Sequence, residues 1–224
     1  MTLDFGLLAT HAPRLLAGLG WTAALCSAAT AAAVVLGFAV AQLRGLHRGA
    51  AVAVDAYVSV FRGTPLLVQL FLLYYGGPQL GIVLDPPEAG FLGLALYGGA
   101  YYAEIARASS AAVPRGQAEA ARALGLGRWQ ALRFVELPQM LVFAVPPATG
   151  QAIVLLKESA VLSIVTVPEL TFAATRMATE TLSVAEPYLA LALLYWAAVS
   201  VLARAGRGAE AHLSRHLHVP AARR

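Results

Sequence analysis

The chain has 224 residues, of which 59% are apolar and only 12% are charged. Soluble globular domains carry roughly 25% charged residues, so this composition argues against a water-soluble fold and favours a membrane protein. The net charge is +4, but the arginines are scattered between apolar segments, which argues against a basic face for nucleic acid. Cys26 is the only cysteine, so an internal disulfide and a cysteine-based metal site are excluded.

Five apolar segments predict about five transmembrane helices in one all-α membrane domain that covers residues 1–224. These segments are residues 15–43, 50–75, 91–113, 140–156 and 184–203. The first has no charged residue, and it is too long for the apolar region of a signal peptide, so we expect it in the mature protein. Pro146 and Pro147 are predicted to interrupt the fourth helix, which should then face a cavity or neighbouring helices rather than lipid.

The distribution of charge between these segments predicts their orientation, because arginine is enriched in cytoplasmic loops. The first loop, the third loop and the C-terminal tail are basic, with Arg44, Arg48, Arg115, Arg122, Arg128, Arg133, Arg204, Arg207, Arg215, Arg223 and Arg224. The other two connections are mainly acidic, with Asp85, Glu88, Glu169, Glu180 and Glu186 against Arg176. The N-terminus is therefore predicted outside and the C-terminus in the cytoplasm.

The third loop, residues 113–138, has the pattern of an ordered element. Pro114 favours a helix start, and Gly125 and Gly127 predict a corner. A second short helix should run to Pro138, with an apolar stripe that includes Trp129. We interpret the pair as a compact docking element. The alternative is an amphipathic helix that lies on the cytoplasmic leaflet with its arginines on lipid phosphates.

Within this element, small side chains would let a partner protein approach the backbone closely, and the carboxylate of Glu119 would fix its orientation. The pattern is Glu119-Ala-Ala121, three residues, Gly125, nine residues, and Val135-Glu-Leu-Pro138. It resembles the EAA motif of the permease subunits of ABC importers. Four further segments are similar to the polar amino acid uptake branch of that family, namely residues 61–71, 100–107, 155–159 and 167–170. The chain differs where that branch usually has Asn, at Gly150, and Asp, at Glu158.

The resemblance implies that residues 113–138 include a cytoplasmic coupling helix between the third and fourth membrane helices. The expected contacts with the ATPase are Glu119, Ala120, Ala121, Leu124 and Gly125. It further implies an identical or related second permease, two ATP-binding subunits and an extracytoplasmic solute-binding protein, in a bacterial inner membrane. The only lysine, Lys157, is followed by Glu158, so the chain has no P-loop, and ATP and magnesium are expected on the partner ATPase. We expect no catalytic residue, metal or cofactor on this chain.

Ionisable residues inside a membrane are costly and usually have a partner or a function. An amino acid would need a carboxylate for its ammonium group and hydrogen-bond donors for its carboxylate. The candidates along a substrate path are Arg62, Thr64, Glu104, Gln151, Glu158 and Ser159. Arg62 lies next to Gly63-Thr64-Pro65, a sequence that favours a bend or partial unwinding of the helix. The alternatives are an ion pair between Arg62 and Glu104 and an interfacial pair between Lys157 and Glu158. Three tail histidines are interpreted as solvated residues rather than metal ligands, namely His212, His216 and His218.

Two other classes of function stay open at this point. A secondary transporter would use Glu104 or Glu158 as a proton carrier, but it gives no reason for the cytoplasmic docking element. A membrane-embedded hydrolase would use Ser159 as a nucleophile, but all five histidines lie in the termini or the first loop.

Overall fold

The computed structural model describes residues 5–216, which form helices and short connections without a β-strand in that range. His218, Arg223 and Arg224 lie outside the described residues, as does the side chain of His216. In chain order, the α-helices of the described part are α1 Phe5–Leu43, α2 Arg48–Gly63, α3 Leu66–Phe71, α4 Pro86–Ala112, α5 Arg115–Ala123, α6 Arg128–Ala131, α7 Leu137–Glu158, α8 Leu170–Thr181 and α9 Ala185–His216.

Three helical stretches of the described part are long and apolar enough to cross a membrane, and they are Gly6–Leu43, Arg128–Val165 and Ala185–Arg215. A fourth candidate is the pair Arg48–Gly63 and Leu66–Leu80, which is bent by 106°. Helix α4 has 27 residues, enough for a membrane crossing, but glycines, tyrosines and charges make it less apolar than these stretches. The chain is thus an all-helical, multi-pass membrane protein.

Helix α4 lies against α1 at very short range, because glycines stand where the two helices meet. A methyl group added at Gly37 would lie 2.6 Å from the backbone nitrogen of Ala103 and 2.6 Å from Cβ of Tyr102. One added at Gly98 would lie 2.9 Å from both Ala33 and Leu155. Small residues allow such close packing between membrane helices, where dispersion contacts replace the hydrophobic effect as the source of association. The contact between α1 and α4 is therefore the centre of the fold.

The prediction that Pro146 and Pro147 interrupt the fourth helix was wrong, since α7 continues through both. Each proline removes an N–H and should leave the carbonyl four residues earlier without its helical partner. Two side chains, one on α4 and one on α7 itself, bond other carbonyls of this region. Tyr102 donates a hydrogen bond to the Ala148 carbonyl at 3.0 Å, and Thr149 donates one to the Val145 carbonyl at 2.9 Å.

The second short helix of the docking element also differs from the prediction, because it does not stop at Pro138. Helix α6 passes through a π-helical turn, Leu132–Glu136, directly into α7. In this turn the amide of Leu137 donates to the Leu132 carbonyl, five residues earlier. Such a turn changes the hydrogen-bond register locally without ending the helix. The second helix of the docking element therefore continues into the fourth membrane helix.

We expect Gly37→Ala to lower the stability of the purified chain in detergent by about 1–3 kcal/mol, since its new methyl group meets backbone atoms that cannot move aside. The measurement is the midpoint of thermal unfolding. Gly20→Ala is the matched control in the same helix, because nothing lies within 4 Å of a methyl group there. Equal midpoints for the two variants would contradict the close packing of α1 on α4.

Candidate functional site

A cavity of about 500 Å³ lies between α2, α4 and α7. It brings together three of the predicted substrate-path residues, Arg62, Glu104 and Gln151, and adds Tyr101. Gln151 is 8% exposed, and its Nε2 has no hydrogen-bond partner among the described residues. A buried donor without a partner is costly, so this amide is available to a ligand that carries an acceptor.

Arg62 and Glu104 do not form the ion pair with each other that the sequence analysis considered. The Glu104 carboxylate accepts a hydrogen bond from Arg107 Nε at 2.9 Å, one turn along α4. The Arg62 guanidinium instead lies 5.2 Å from the ring centroid of Tyr101. A contact of this kind with an aromatic ring leaves guanidinium N–H donors available, so Arg62 can still bind an acceptor.

The bend between α2 and α3 positions Arg62 at the edge of this cavity. Pro65 has no N–H and cannot bond the Phe61 carbonyl, so α2 ends there. Gln69 Nε2 compensates, because it donates to the Phe61 carbonyl at 2.9 Å, to the Thr64 carbonyl at 3.0 Å and to Thr64 Oγ1 at 2.8 Å. The predicted bend at this sequence is confirmed. Thr64 thus binds the chain itself and stands outside the cavity lining.

The last two predicted path residues lie at the far end of α7 and outside the cavity lining. Glu158 is half-buried, within Coulombic range of Tyr97 on α4. Lys157 is exposed and forms no ion pair with Glu158 within the described residues. Ser159 is fully buried, and its hydroxyl donates to the Leu156 carbonyl at 2.8 Å and lies 3.3 Å from the Tyr195 hydroxyl. The structure therefore separates Ser159 from the cavity.

Glu169 is the polar residue whose role the sequence analysis missed. It was counted among the outer charges, yet it is 0% exposed and caps helix α8. Its carboxylate accepts the amides of Thr171 at 2.8 Å and Phe172 at 2.7 Å, and the Tyr195 hydroxyl at 3.1 Å. Thr22 on α1 accepts the amide of Leu170 at 3.1 Å. The free N–H groups of the first turn of α8 are satisfied in this way, and α1, α8 and α9 are joined.

The docking element is confirmed as a helix, a glycine corner and a second helix. Helix α5 ends in a Schellman motif, in which the Gly125 amide donates to the Arg122 carbonyl at 2.9 Å and the Leu126 amide to the Ala121 carbonyl at 3.1 Å. Gly125 has φ +83°, a conformation that side chains disfavour. Glu119, Ala120 and Leu124 are exposed, Leu124 by 82%, whereas Ala121 is 3% exposed and packs inside the element.

Comparison with known proteins identifies the family. Residues 33–214 match the family model described as the binding-protein-dependent transport system inner membrane component. The chain belongs to this family. The resemblance carried by the Glu119–Gly125 pattern is therefore confirmed, and the family's permeases work together with a partner permease and ATPase subunits.

The chain is similar over most of its length to curated permeases. It is 35% identical to the probable amino-acid ABC transporter permease protein PatM of Vibrio harveyi, covering 96% of this chain and 98% of that protein. It is 33% identical to the arginine transport system permease protein ArtQ of Bacillus subtilis, with 95% and 98% covered. A crystal structure of an amino acid ABC transporter with histidines matches with a TM-score of 0.87 and 35% identity, covering 95% of this chain and 100% of that one. A methionine ABC transporter shares the fold, with a TM-score of 0.76 and 22% identity over 89% and 96% of the two chains.

We expect Glu169→Gln to lower the thermal stability of the purified permease by about 1–3 kcal/mol, because its amide NH₂ would face groups that now donate to a carboxylate. Glu180→Gln is the matched control on the same helix. The Glu180 carboxylate is exposed, and its pKa is lowered by its hydrogen bond to Arg176 and by the charge of Arg14. Surface pairs of this kind contribute little to stability. A loss in Glu180→Gln as large as that in Glu169→Gln would contradict the capping role.

Proposed function

We propose that the chain is the membrane-spanning permease subunit of an ATP-driven ABC importer that carries a polar amino acid across the bacterial inner membrane. The observation that carries this proposal is the docking element, which presents exposed Glu119, Ala120 and Leu124 beside the corner at Gly125. Its second helix continues into a membrane-spanning stretch, Arg128–Val165. The names of the curated relatives support an amino acid as the transported solute.

The proposed topology has five membrane-spanning units, formed by α1, the bent pair α2–α3, α4, α7 and α9, in a single domain of residues 1–224. The N-terminus lies outside and the C-terminus in the cytoplasm. Support comes from the arginines of the first loop and the docking element, which then lie on the cytoplasmic side. This orientation places residues 113–138 on the side where ATP is hydrolysed.

The proposed assembly has two permeases, identical or related, two ATP-binding subunits that hold residues 117–137, and an extracytoplasmic solute-binding protein. Lipid surrounds the membrane helices, and nucleic acid has no role. ATP and magnesium bind the separate ATPase, and this chain performs no chemistry on the solute. A secondary transporter with Glu104 as its proton carrier is less well supported, because that carboxylate is already paired with Arg107.

The proposed substrate path passes through the cavity between α2, α4 and α7. Arg62 and Gln151 offer donors for a carboxylate or a side-chain amide, and Glu104 and Glu158 offer negative charge for an ammonium group. Thr64 stays in the proposal as the residue that shapes the bend next to Arg62. Ser159 is the weakest candidate, since its hydroxyl already bonds the Leu156 carbonyl.

We expect proteoliposomes with the permease, the ATPase and the binding protein encoded beside it to accumulate a labelled polar amino acid from outside only when ATP is enclosed within. Gly125→Pro should abolish uptake and release the ATPase from the complex. Proline fixes φ near −65°, against +83° here, and lacks the amide that bonds Arg122. The measurements are initial uptake rate and co-purification of the ATPase.

Gly116→Ala is the matched control for this variant, because Gly116 lies in α5 and nothing is within 4 Å of an added methyl group. It should keep both uptake and ATPase binding. Uptake by the chain alone, without ATPase or ATP, would overturn the proposal in favour of a secondary transporter.

In the same assay, Gln151→Leu should raise the KM for the transported amino acid by roughly fivefold, because the substrate loses one hydrogen bond from a buried amide. ATPase binding should not change. Gln79→Leu is the control, since Gln79 is exposed near the end of the stretch Leu66–Leu80 and does not line the cavity. An unchanged KM in Gln151→Leu would place the substrate path elsewhere.

A further inference from the structure

Helix α5 is connected to the rest of the chain through two non-helical joints. On one side, Val113 and Pro114 have extended backbone conformations, with ψ of 126° and 131°. On the other side, Gly125 takes φ +83° and ends the helix. Neither joint continues a helical hydrogen-bond ladder, so the backbone by itself does not fix the angle between α5 and the membrane helices. Side-chain contacts must fix that angle.

Gln139 supplies a side-chain hydrogen bond between α5 and α7. Its Nε2 donates to Gln117 Oε1 in α5 at 3.2 Å. The same Nε2 donates to the Val135 carbonyl at 2.9 Å, inside the π-helical turn. One amide group thus joins the first helix of the docking element, the turn that follows its second helix, and the first turn of α7. Neither Gln117 nor Gln139 belongs to the EAA pattern described above.

Gln139 lies shortly after an irregular part of the helix. Pro138, the preceding residue, has no amide, and the π-helical turn Leu132–Glu136 has shifted the register of the backbone bonds just before it. Turns of this type are frequent at functional sites. Gln139 bonds both the Val135 carbonyl inside this turn and Gln117 on α5.

We propose that Gln117 and Gln139 form a latch that holds α5 at a fixed angle to α7, so that movement of a docked α5 is passed to the membrane helix. This inference rests on the proposed function, in which α5 docks on an ATPase. Both residues are positioning residues, since neither lines the substrate cavity. If the latch exists, changing one of these amides should lower transport while ATP hydrolysis continues.

The test uses Gln139→Met, which keeps the length and volume of the side chain but removes its donor and acceptor. In the reconstituted complex, the number of solute molecules transported per ATP hydrolysed should fall roughly fivefold or more, because the variant loses the bonds to Gln117 and to the Val135 carbonyl. The ATPase should stay bound to this variant and keep its hydrolysis rate within about twofold. Gln117→Met removes only the bond between α5 and α7 and should also lower this ratio roughly fivefold. Because Gln117 lies in the region proposed to contact the ATPase, the ratio is measured on complexes that retain the ATPase.

Two further variants separate a latch from a general structural role. The double variant should be no worse than Gln139→Met, because that change already removes the bond to Gln117. Gln117→Glu retains an acceptor for Gln139 Nε2 and should keep the transport ratio of the unchanged protein. Gln79→Met is the matched control at an exposed glutamine near the end of the stretch Leu66–Leu80 and should have no effect.

The outcomes distinguish this inference from the proposed function. An unchanged complex that shows no ATP-dependent uptake would overturn the proposed function and the latch with it. The latch alone would be overturned if the unchanged protein couples transport tightly to ATP hydrolysis and both Gln117→Met and Gln139→Met keep its number of solute molecules transported per ATP. Additive losses in the double variant would also overturn it, since they would show that the two amides act separately.

Discussion

Every backbone polar group of a chain in a membrane needs a partner within the protein, because lipid offers none. The long helices of this permease meet that requirement by themselves. The breaks between them cannot, and at two places a polar side chain supplies the partner. Gln69 bonds the carbonyls freed at the bend after α2, and Glu169 bonds the amides at the start of α8. A third side chain, Gln139, bonds a carbonyl of the π-helical turn in the docking element.

Each of these three side chains also connects elements that carry the proposed function. The bend held by Gln69 brings Arg62 to the edge of the cavity. Glu169 joins α8 to α9 through Tyr195, which in turn approaches Ser159 at the end of α7. Gln139 links α7 to α5. The side chains that bond free backbone groups are therefore also the ones that position these elements. The geometry of the proposed substrate path and the stability of the fold depend on the same side chains.

The all-helical fold, the presence of long apolar helices and the helix–corner–helix form of the docking element could be predicted from the sequence, since apolar runs and glycine corners are local signals. The bend at Thr64 and Pro65 was also predicted, because proline acts on its own neighbourhood. Long-range partners were not accessible in this way. Nothing local indicates that Glu169 is buried against Tyr195. The pair of Glu104 and Arg107 did have a local signal that the sequence analysis missed, because the two residues stand three apart on one helix.

The error about Pro146 and Pro147 also has its origin in a long-range contact. Isolated helices are weakened by proline, but α7 packs against α4, whose Tyr102 bonds the carbonyl of Ala148 next to the prolines. A missed signal did exist for α8, where a proline followed by Glu169 precedes a helical run, since a side chain with acceptor oxygens at that position can cap a helix.

Helix α7 connects the two functional regions physically. Gln139 lies in its first turn and Gln151 lies twelve residues later, a separation of about 18 Å along a continuous helix. Because the prolines do not break it, α7 can act as a rigid rod between them. A tilt imposed at the latch then changes the position of Gln151 relative to Arg62 and Glu104, which stand on two other helices. The cavity can therefore respond to the docking element without any contact between the substrate and the ATPase.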